Sequence, residues 1–196
     1  MLRRQLVAGV AMTFVMIVLT GILYPLAVTG ASQALWPRQA NGSLVDRNGA
    51  AAGSALLGQN FTQPRYFRPR PSAAGANGYD GLASGGSNLG PSNPKLLDSV
   101  KDRIAAYRQA NLLGDDEFVP VDAVTASASG LDPDISVANA RFQARRVAQA
   151  RGLPADRVLQ LVHDHTQSRP WGFLGEDAVN VLELNLAVDR LPAPAR

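Results

Sequence analysis

The chain has 196 residues, of which 46% are hydrophobic, and it contains no cysteine. This length fits one small folded domain with an additional segment. The 19 Lys and Arg residues exceed the 16 Asp and Glu residues by three, and two of these cations, Arg3 and Arg4, stand ahead of the first apolar segment. The remainder is close to neutral, which gives no electrostatic reason to expect a nucleic-acid partner.

The N-terminal part contains an almost wholly apolar segment, LVAGVAMTFVMIVLTGILYPLAV, at residues 6–28. As an α-helix it would extend about 34 Å, which is enough to cross the hydrocarbon core of a bilayer. A cleaved signal peptide is the alternative, but its apolar region is typically only about 7–15 residues long. We therefore predict a retained transmembrane helix over residues 6–28, kinked or ended near Pro25.

The charges beside this helix predict its orientation. Arg3 and Arg4 are the only close charges on its N-terminal side, and positively charged flanks stay in the cytoplasm. Residues 1–5 would then form a cytoplasmic tail, residues 29–54 a connector, and residues 55–196 a domain outside the cytoplasm. The lipid bilayer is thus one predicted partner.

Small residues on one side of the helix predict a contact with a second membrane helix. Gly9 and Thr13 are four residues apart, and Thr20 lies further along the same side. Small side chains at this spacing allow two helix backbones to approach closely. A contact of this kind is typical of a subunit in a larger membrane complex.

The first part of the domain has no strong helical period. Residues 55–73, ALLGQNFTQPRYFRPRPSA, alternate apolar and polar residues between turn formers, which favours short extended segments. Residues 69–93 show no period at all. A loop of that length is uncommon in a compact domain unless it is functional or disordered.

The first predicted helix of the domain begins at Pro94. Ser92 or Asn93 can cap it, and proline suits the first helical position. Its apolar residues recur at helical spacing and so define one buried face. That face is formed by Leu96, Val100, Ile104 and Tyr107.

Two more helices are predicted after it. The second runs from near Asp134 to Arg151, where Gly152 can end it in a left-handed turn. The third begins at Pro154 and has Asp156 in its first turn, where a negative charge offsets the helix dipole. The apolar face of the third helix contains Val158, Leu161, Val162 and His165.

The end of the chain has a different period. In VNVLELNLAVD, residues 179–189, leucine and valine alternate with other residues, which predicts a half-buried strand. The predicted fold class is therefore a single N-terminal transmembrane α-helix followed by a small α+β domain outside the cytoplasm.

No set of residues predicts catalysis or metal binding. His163 and His165 are two apart on a predicted helix, so they point about 200° apart and are poorly placed to share one metal ion. Ser127 and Ser129 lack the Gly-x-Ser-x-Gly motif of a nucleophilic serine. The Gly-x-x-x-x-Gly-Lys motif of nucleotide-binding loops is also absent from the sequence. We predict a non-catalytic protein without a metal site.

Two groups of residues are candidates for partner contacts. Tyr66, Phe67, Arg68 and Arg70 combine aromatic rings with arginine, a composition enriched at protein interfaces but also found in the cores of small domains. The second helix has a basic side that would suit anionic lipid or an acidic partner, although a solvated helix face is the more frequent outcome. This basic side consists of Arg141, Arg145, Arg146 and Arg151.

Six strings, in their order and spacing, carry a resemblance that spans nearly the whole chain. They are ILYPLAVTG (22–30), GSALLGQNF (53–61), YFRPRPSA (66–73), SGGSNLGPSNP (84–94), VPVDAVTASASGLDPDIS (119–136) and GFLGEDAVNVLELNLAVD (172–189). Together they resemble the C subunit of the Kdp potassium-transporting P-type ATPase. The chain departs from the family pattern at Ala128, where glycine is usual, and at Asp177 and Ala178, where proline and arginine are usual.

The resemblance implies a non-catalytic accessory subunit of an ATP-driven potassium importer in a bacterial inner membrane, with its domain in the periplasm. The implied partners are a channel-like potassium-translocating subunit, a P-type ATPase subunit and a small single-span peptide subunit. The accessory subunit would support assembly and activity of the channel-like and ATPase subunits. The family is alternatively described as a catalytic chaperone that binds nucleotide and raises the ATP affinity of the ATPase subunit.

The same resemblance implies a nucleotide loop at Ser84, Gly85, Gly86 and Ser87, which correspond to part of the Leu-Ser-Gly-Gly-Gln signature of transporter ATPases. Backbone N–H groups in such a loop could cradle a phosphate. The predicted orientation, however, puts the loop outside the cytoplasm, where ATP is scarce. We therefore expect an ordered loop that is held by its own polar side chains and by partner contacts, including one at Asn88. Gly86 is expected to hold a left-handed backbone conformation in this loop.

Overall fold

The computed structural model describes residues 1–192 and divides the chain into two compact bodies. The first body comprises residues 1–44, and the second begins at residue 45. The last four residues of the predicted domain, 193–196, lie outside the described residues. Each body has its own elements, and they are described in turn.

The first body is dominated by one helix, Leu2–Leu35, with a mean hydropathy of 2.5 in its most apolar part. By length and composition this helix can cross a membrane. It consists of α1 (Leu2–Met16), a π-helical stretch (Ile17–Leu23) and α2 (Tyr24–Leu35). The short helix α3 (Pro37–Ala40) follows it.

Of the two predicted effects of Pro25, a kink or an end of the helix, the end is wrong, because the helix continues to Leu35. Pro25 lies in the first turn of α2, and the residues before it have π-helical hydrogen bonding. Proline cannot donate a hydrogen bond to the carbonyl four residues back, and a local change to π geometry tolerates that missing bond. The helix therefore continues past residue 28 into the predicted connector.

A β-hairpin occupies the end of the predicted connector. Its strands are β1 (Leu44–Arg47) and β2 (Ala50–Ser54). Asn48 and Gly49 join them, with φ angles of 54° and 83°. Positive φ at both central residues is typical of a type I′ turn, for which Asn-Gly is a strong sequence signal. That signal is present in the sequence, and the connector interpretation overlooked it.

The central sheet of the second body has three antiparallel strands. They are β3 (Asp134–Ser136), β4 (Thr166–Gln167) and β5 (Ala178–Asn180), and β5 lies in the middle. Val179 of β5 lies opposite Ile135 of β3. The described residues 55–73 form no strand, so the short extended segments predicted there belong to no sheet.

Helices pack around this sheet and enclose the core. Phe67, Val147, Val179 and Leu184 are all fully buried in one apolar cluster. The described part of this body has the helices α4 (Pro94–Asn111), α5 (Val121–Val124), α6 (Val137–Arg151), α7 (Ala155–Asp164) and α8 (Val181–Asp189).

Two of the predicted helices are confirmed with their end signals. Asn93 caps α4, because its side chain accepts a hydrogen bond from the backbone N–H of Lys95 at 3.0 Å. Helix α7 begins directly after Pro154 and buries Val158 and Val162, as its apolar spacing indicates. These helices carry their signals within a few neighbouring residues.

The second predicted helix starts later than expected. Residues 134–136 pair with β5 as a strand, and α6 begins only at Val137. The Ser136 hydroxyl accepts the N–H of Asn139 at 3.1 Å and caps the helix. Gly152 ends α6 with a φ of 66°, as predicted.

The predicted C-terminal strand is wrong, since Val181–Asp189 forms the helix α8. This helix is buried on almost every side, so its apolar residues show no helical stripe, and the sequence looks alternating. The side chain of Asn180 accepts the N–H of Glu183 at 3.1 Å. Asn followed three residues later by Glu is a helix-start signal, and it outweighs the apparent alternation.

Candidate functional site

Two side-chain amides, and not a neighbouring strand, bind the backbone of Phe67 and Arg68 in the Tyr66–Arg70 group. The Phe67 N–H donates to Asn185 Oδ1 at 2.8 Å, and Asn185 Nδ2 donates to the Phe67 carbonyl at 2.9 Å. Gln143 pairs with both backbone groups of Arg68 in the same way, at 2.7 and 3.0 Å. Each amide reproduces the two hydrogen bonds of a β-ladder and satisfies backbone groups that would otherwise be buried alone.

Arg146 belongs to the interior, and the prediction of a solvated or lipid-facing side chain is wrong for it. Only 6% of the residue is exposed. Its guanidinium donates to Asn111 Oδ1 at 2.9 Å, to Gln143 Oε1 at 2.7 Å and to the carbonyls of Pro64 and Tyr66. Burial, with repulsion from the Arg68 guanidinium as a second cause, lowers the pKa of Arg146 to about 10.

Arg151 is also a structural residue. Its Nη2 donates to Asp189 Oδ1 at 2.7 Å, and its guanidinium lies 5.0 Å from the ring centroid of Tyr66. The Tyr66 hydroxyl donates to the other oxygen of Asp189 at 3.1 Å. Arg141 and Arg145 remain exposed on α6, so the predicted basic surface is reduced to these two residues.

The Tyr66–Arg70 group is therefore divided between core and surface. Phe67 is fully buried, which matches the core alternative and leaves its side chain no surface for a partner. Tyr66, Arg68 and Arg70 are partly exposed. Arg70 Nη1 pairs with Asp132 Oδ2 at 2.8 Å, so its charge is compensated within the chain.

The glycine-rich loop is ordered by contacts with residues 127–130. Gly85 N–H and Ser84 Oγ both donate to the Ser129 carbonyl, at 2.8 and 3.0 Å. A Cβ added at Gly86 would lie 2.9 Å from the Ala128 carbonyl oxygen. Gly86 has no left-handed φ, so that prediction is wrong. This position instead requires glycine because two backbones approach closely.

The rest of the loop projects outward. Ser87 and Asn88 are exposed, and Asn88 has a left-handed φ of 52°. The loop thus has an anchored half, Ser84 to Gly86, and a free half. The free half offers polar groups to the surroundings, whereas the Gly85 N–H already has its acceptor.

A second network fixes the start of this loop. The Ser72 hydroxyl donates to the Gly130 carbonyl at 2.6 Å and accepts the N–H of Tyr79 at 2.8 Å. The Tyr79 hydroxyl donates to the Arg70 carbonyl. Burial, and next the nearby Asp132 carboxylate, raise the pKa of the Tyr79 hydroxyl, so it remains a donor at neutral pH.

The histidines and serines considered for chemistry are not brought together. His163 is exposed, and His165 is half-buried with Nδ1 3.0 Å from the Leu161 carbonyl. Ser129 Oγ accepts the N–H of Leu131 at 3.1 Å, which is a turn interaction. Across residues 1–192, no three His, Cys, Asp or Glu side chains are grouped as metal ligands.

The small residues of the candidate membrane-spanning helix make hydrogen bonds within the helix. Thr13 Oγ donates to the Gly9 carbonyl at 2.9 Å, and Thr20 Oγ donates to the Met16 carbonyl at 2.7 Å. A Cβ added at Gly9 would meet no atom within 4 Å. The hydroxyls are therefore compatible with an apolar environment, and the space beside Gly9 is open.

An exposed apolar loop between β4 and β5 escaped the sequence analysis. Trp171 is 84% exposed and Phe173 71% exposed, and Leu174 lies beside them. The Leu174 N–H donates to the Pro170 carbonyl at 3.1 Å, so the loop is closed and ordered. An apolar run flanked by turn residues, RPWGFLGED, is the signal that could have revealed it. Exposed clusters of this kind occur at contacts with proteins and membranes.

Within residues 1–192, one helix is long and apolar enough to cross a membrane, and a small α+β body follows it along the chain, an arrangement consistent with a subunit of a membrane complex. The sequence model of the KdpC family, the K+-transporting ATPase c chain, matches residues 6–190. The chain belongs to this KdpC family. It is accordingly a subunit of a potassium-transporting ATPase complex, which implies partner subunits.

Relatives from three bacteria are similar to this chain over most of its length. The potassium-transporting ATPase KdpC subunit of Mycobacterium tuberculosis strain H37Rv is 59% identical over 190 residues, covering 97% of this chain and all of the relative. The KdpC subunit of Variovorax paradoxus is 61% identical over 171 residues, covering 87% and 88% of the two chains. The KdpC subunit of Gemmatimonas aurantiaca is 54% identical over 186 residues, covering 94% and 92%.

Proposed function

We propose that this chain is a non-catalytic accessory subunit that supports assembly and activity of the channel-like and ATPase subunits of a potassium importer. The observation that carries the proposal is the family match over residues 6–190 on a chain whose described residues contain one candidate membrane span. The side chains tested for catalysis in the second body, including His163, His165 and Ser129, form no reactive set. Membership of a potassium-transporting ATPase complex implies partner subunits and supports a role in binding them.

The proposed location is a bacterial inner membrane, with the N-terminus in the cytoplasm and the domain in the periplasm. Arg3 and Arg4 support this orientation through the positive-inside rule. The open side at Gly9 would receive a helix of the channel-like subunit. In the domain, the partly exposed Tyr66, Arg68 and Arg70, together with Asn88, would contact the other subunits; the small single-span peptide is a further proposed partner.

The orientation is tested by fusing reporters after Arg196. We expect a reporter that is active only outside the cytoplasm to be active, and a cytoplasm-dependent reporter at the same site to be silent. Replacing Arg3 and Arg4 with glutamine should reduce the difference between the two reporter signals, because the flanking charge sets the orientation. An active cytoplasmic reporter on the unmodified chain would place the domain inside and overturn the proposed location.

The alternative function is a catalytic chaperone that binds ATP through Ser84, Gly85, Gly86 and Ser87. We expect purified full-length chain in detergent to show no saturable ATP binding by calorimetry. The reason is that the Gly85 N–H, one of the donors a phosphate would need, already donates to the Ser129 carbonyl at 2.8 Å. Micromolar binding that disappears in Ser87→Pro, which removes an N–H from the exposed half of the loop, would favour the chaperone instead.

A further inference from the structure

A cavity of about 360 Å³ lies between residues 60–62 and the segment from Arg68 to Tyr79. Its walls are chemically divided. Phe61, Pro69 and Pro71 supply apolar surface, and the polar groups come from asparagine, threonine, serine, tyrosine and two arginines. The polar lining residues are Asn60, Thr62, Arg68, Arg70, Ser72, Asn77 and Tyr79.

Three of these seven polar side chains are already engaged within the chain. Arg70 is paired with Asp132, and the hydroxyls of Ser72 and Tyr79 donate to backbone carbonyls. The side chains of Asn60 and Asn77 make no hydrogen bond to the described residues. The cavity therefore has two amide groups available for a ligand.

Arg68 is the charged group of the cavity without a counter-ion. Its guanidinium makes one hydrogen bond to the described residues, from Nη2 to the Thr62 carbonyl at 3.1 Å, and that acceptor is neutral. Its Nε is buried without an acceptor in this part of the chain. A partly buried guanidinium that lacks a carboxylate is costly, which an incoming anion would relieve.

The protein behind Arg68 adds positive charge to the region. Arg146 is buried there and is held by neutral carbonyl and amide oxygens; burial, and next repulsion from the Arg68 guanidinium, lower the pKa of Arg146. The lining residues include no Asp or Glu, and Asp132, which pairs with Arg70, lies outside the lining. The charge complementary to this cavity is therefore negative.

We propose that the cavity binds a carboxylate side chain of a partner subunit. A planar carboxylate pairs well with a guanidinium and with asparagine N–H groups, and the phenyl and proline walls would pack the methylene part of a Glu or Asp side chain. The volume exceeds that of a lone carboxylate and fits a side chain delivered by a protein surface. The inference rests on the proposed function, and it adds the contact chemistry to it.

The test measures how much of this chain is retained by the complete transport complex at increasing NaCl, from about 0.1 to 0.5 M. Arg68→Gln is expected to lower retention about tenfold and to flatten its salt dependence, since the ion pair is lost. Arg68→Lys should be intermediate, because lysine keeps the charge without the planar fork. Arg157→Gln changes an exposed arginine of α7 that lies outside the cavity, and as the matched control it should resemble the unmodified chain.

A second variant tests the same contact without changing Arg68. Asn77→Asp places a carboxylate inside the cavity, and it should reduce retention by neutralising Arg68 and repelling the incoming acid. Asn77 is exposed, so this change leaves the core intact. Each variant is also purified without the other subunits. An unfolding temperature equal to that of the unmodified chain would exclude misfolding as the cause of lost retention.

Three outcomes would overturn the inference. Retention and salt dependence of Arg68→Gln and Asn77→Asp could equal those of the unmodified chain, which leaves the accessory function standing. Alternatively, acetate or phosphate could stabilise the purified full-length chain saturably through Arg68 without any effect on retention, which would assign the cavity to a free anion. If the unmodified chain is itself not retained by the complex, the accessory function fails together with the inferred contact.

Discussion

Replacing Gln143 with leucine is expected to lower the free energy of unfolding by about 3–4 kcal/mol. Leucine has a similar volume, but it cannot accept the Arg68 N–H, donate to the Arg68 carbonyl or accept from the Arg146 guanidinium. A buried polar group that loses its partner costs about 1–3 kcal/mol. Three such losses outweigh the gain of about 1 kcal/mol from the more apolar side chain.

The matched control is Gln149→Leu, which makes the same change at an exposed position of α6. It should shift the free energy of unfolding by less than about 0.5 kcal/mol. Both variants are measured as full-length chains in mild detergent, by urea unfolding followed by circular dichroism. Similar small shifts for Gln143→Leu and Gln149→Leu would show that the amide pairing with Arg68 contributes little.

Elements with local signals were predictable from the sequence. The cap at Asn93, the proline at 94 and the left-handed Gly152 each act within one turn of the helix that they begin or end. The apolar helix also follows from composition alone, although its extension to Leu35 past Pro25 does not. The membership of the chain in its family, inferred from six strings, is confirmed by the match over residues 6–190.

Features that depend on distant residues were not predictable in this way. The Asn185 amide pairs with Phe67, 118 positions away along the chain, and no residue near either of them in the sequence indicates this contact. Helix α8 was mistaken for a strand because burial on nearly every side removes the stripe that identifies a helix. Arg146 likewise has the sequence context of a surface residue, and only its neutral acceptors explain its burial.

The candidate contact residues also combine features that the sequence predicts with features that depend on distant residues. The order of the loop around Gly85 was expected from its polar composition, but its docking on Ser129 depends on a turn that lies 44 positions further along the chain. The free charge at Arg68 could be seen only after Arg70 was found paired with Asp132. Sequence composition identifies the arginines, and the fold decides which of them remains available to a partner.

Replacing Gly130 with alanine is expected to be the most damaging of three matched glycine substitutions, costing about 3 kcal/mol of unfolding free energy. Gly130 has a φ of 67°, and an added Cβ would lie 2.6 Å from the Gly85 carbonyl oxygen and 2.8 Å from the Ala74 N. Left-handed strain and steric overlap therefore act together at this position. The overlap would force the glycine-rich loop and the Ala74 backbone away from the turn at Gly130.

The two other substitutions separate these causes. Gly175→Ala has the same left-handed strain, with a φ of 72°, but no atom within 4 Å of the added Cβ, and it should cost about 1 kcal/mol. Gly86→Ala lacks the left-handed φ but brings a Cβ to 2.9 Å from the Ala128 carbonyl oxygen, and it should cost about 1–2 kcal/mol. Thermal unfolding of the three full-length variants gives the comparison. A Gly130 variant no less stable than the Gly175 variant would mean that the glycine-rich loop moves away at little energetic cost, and that its contact with residues 127–130 is weak.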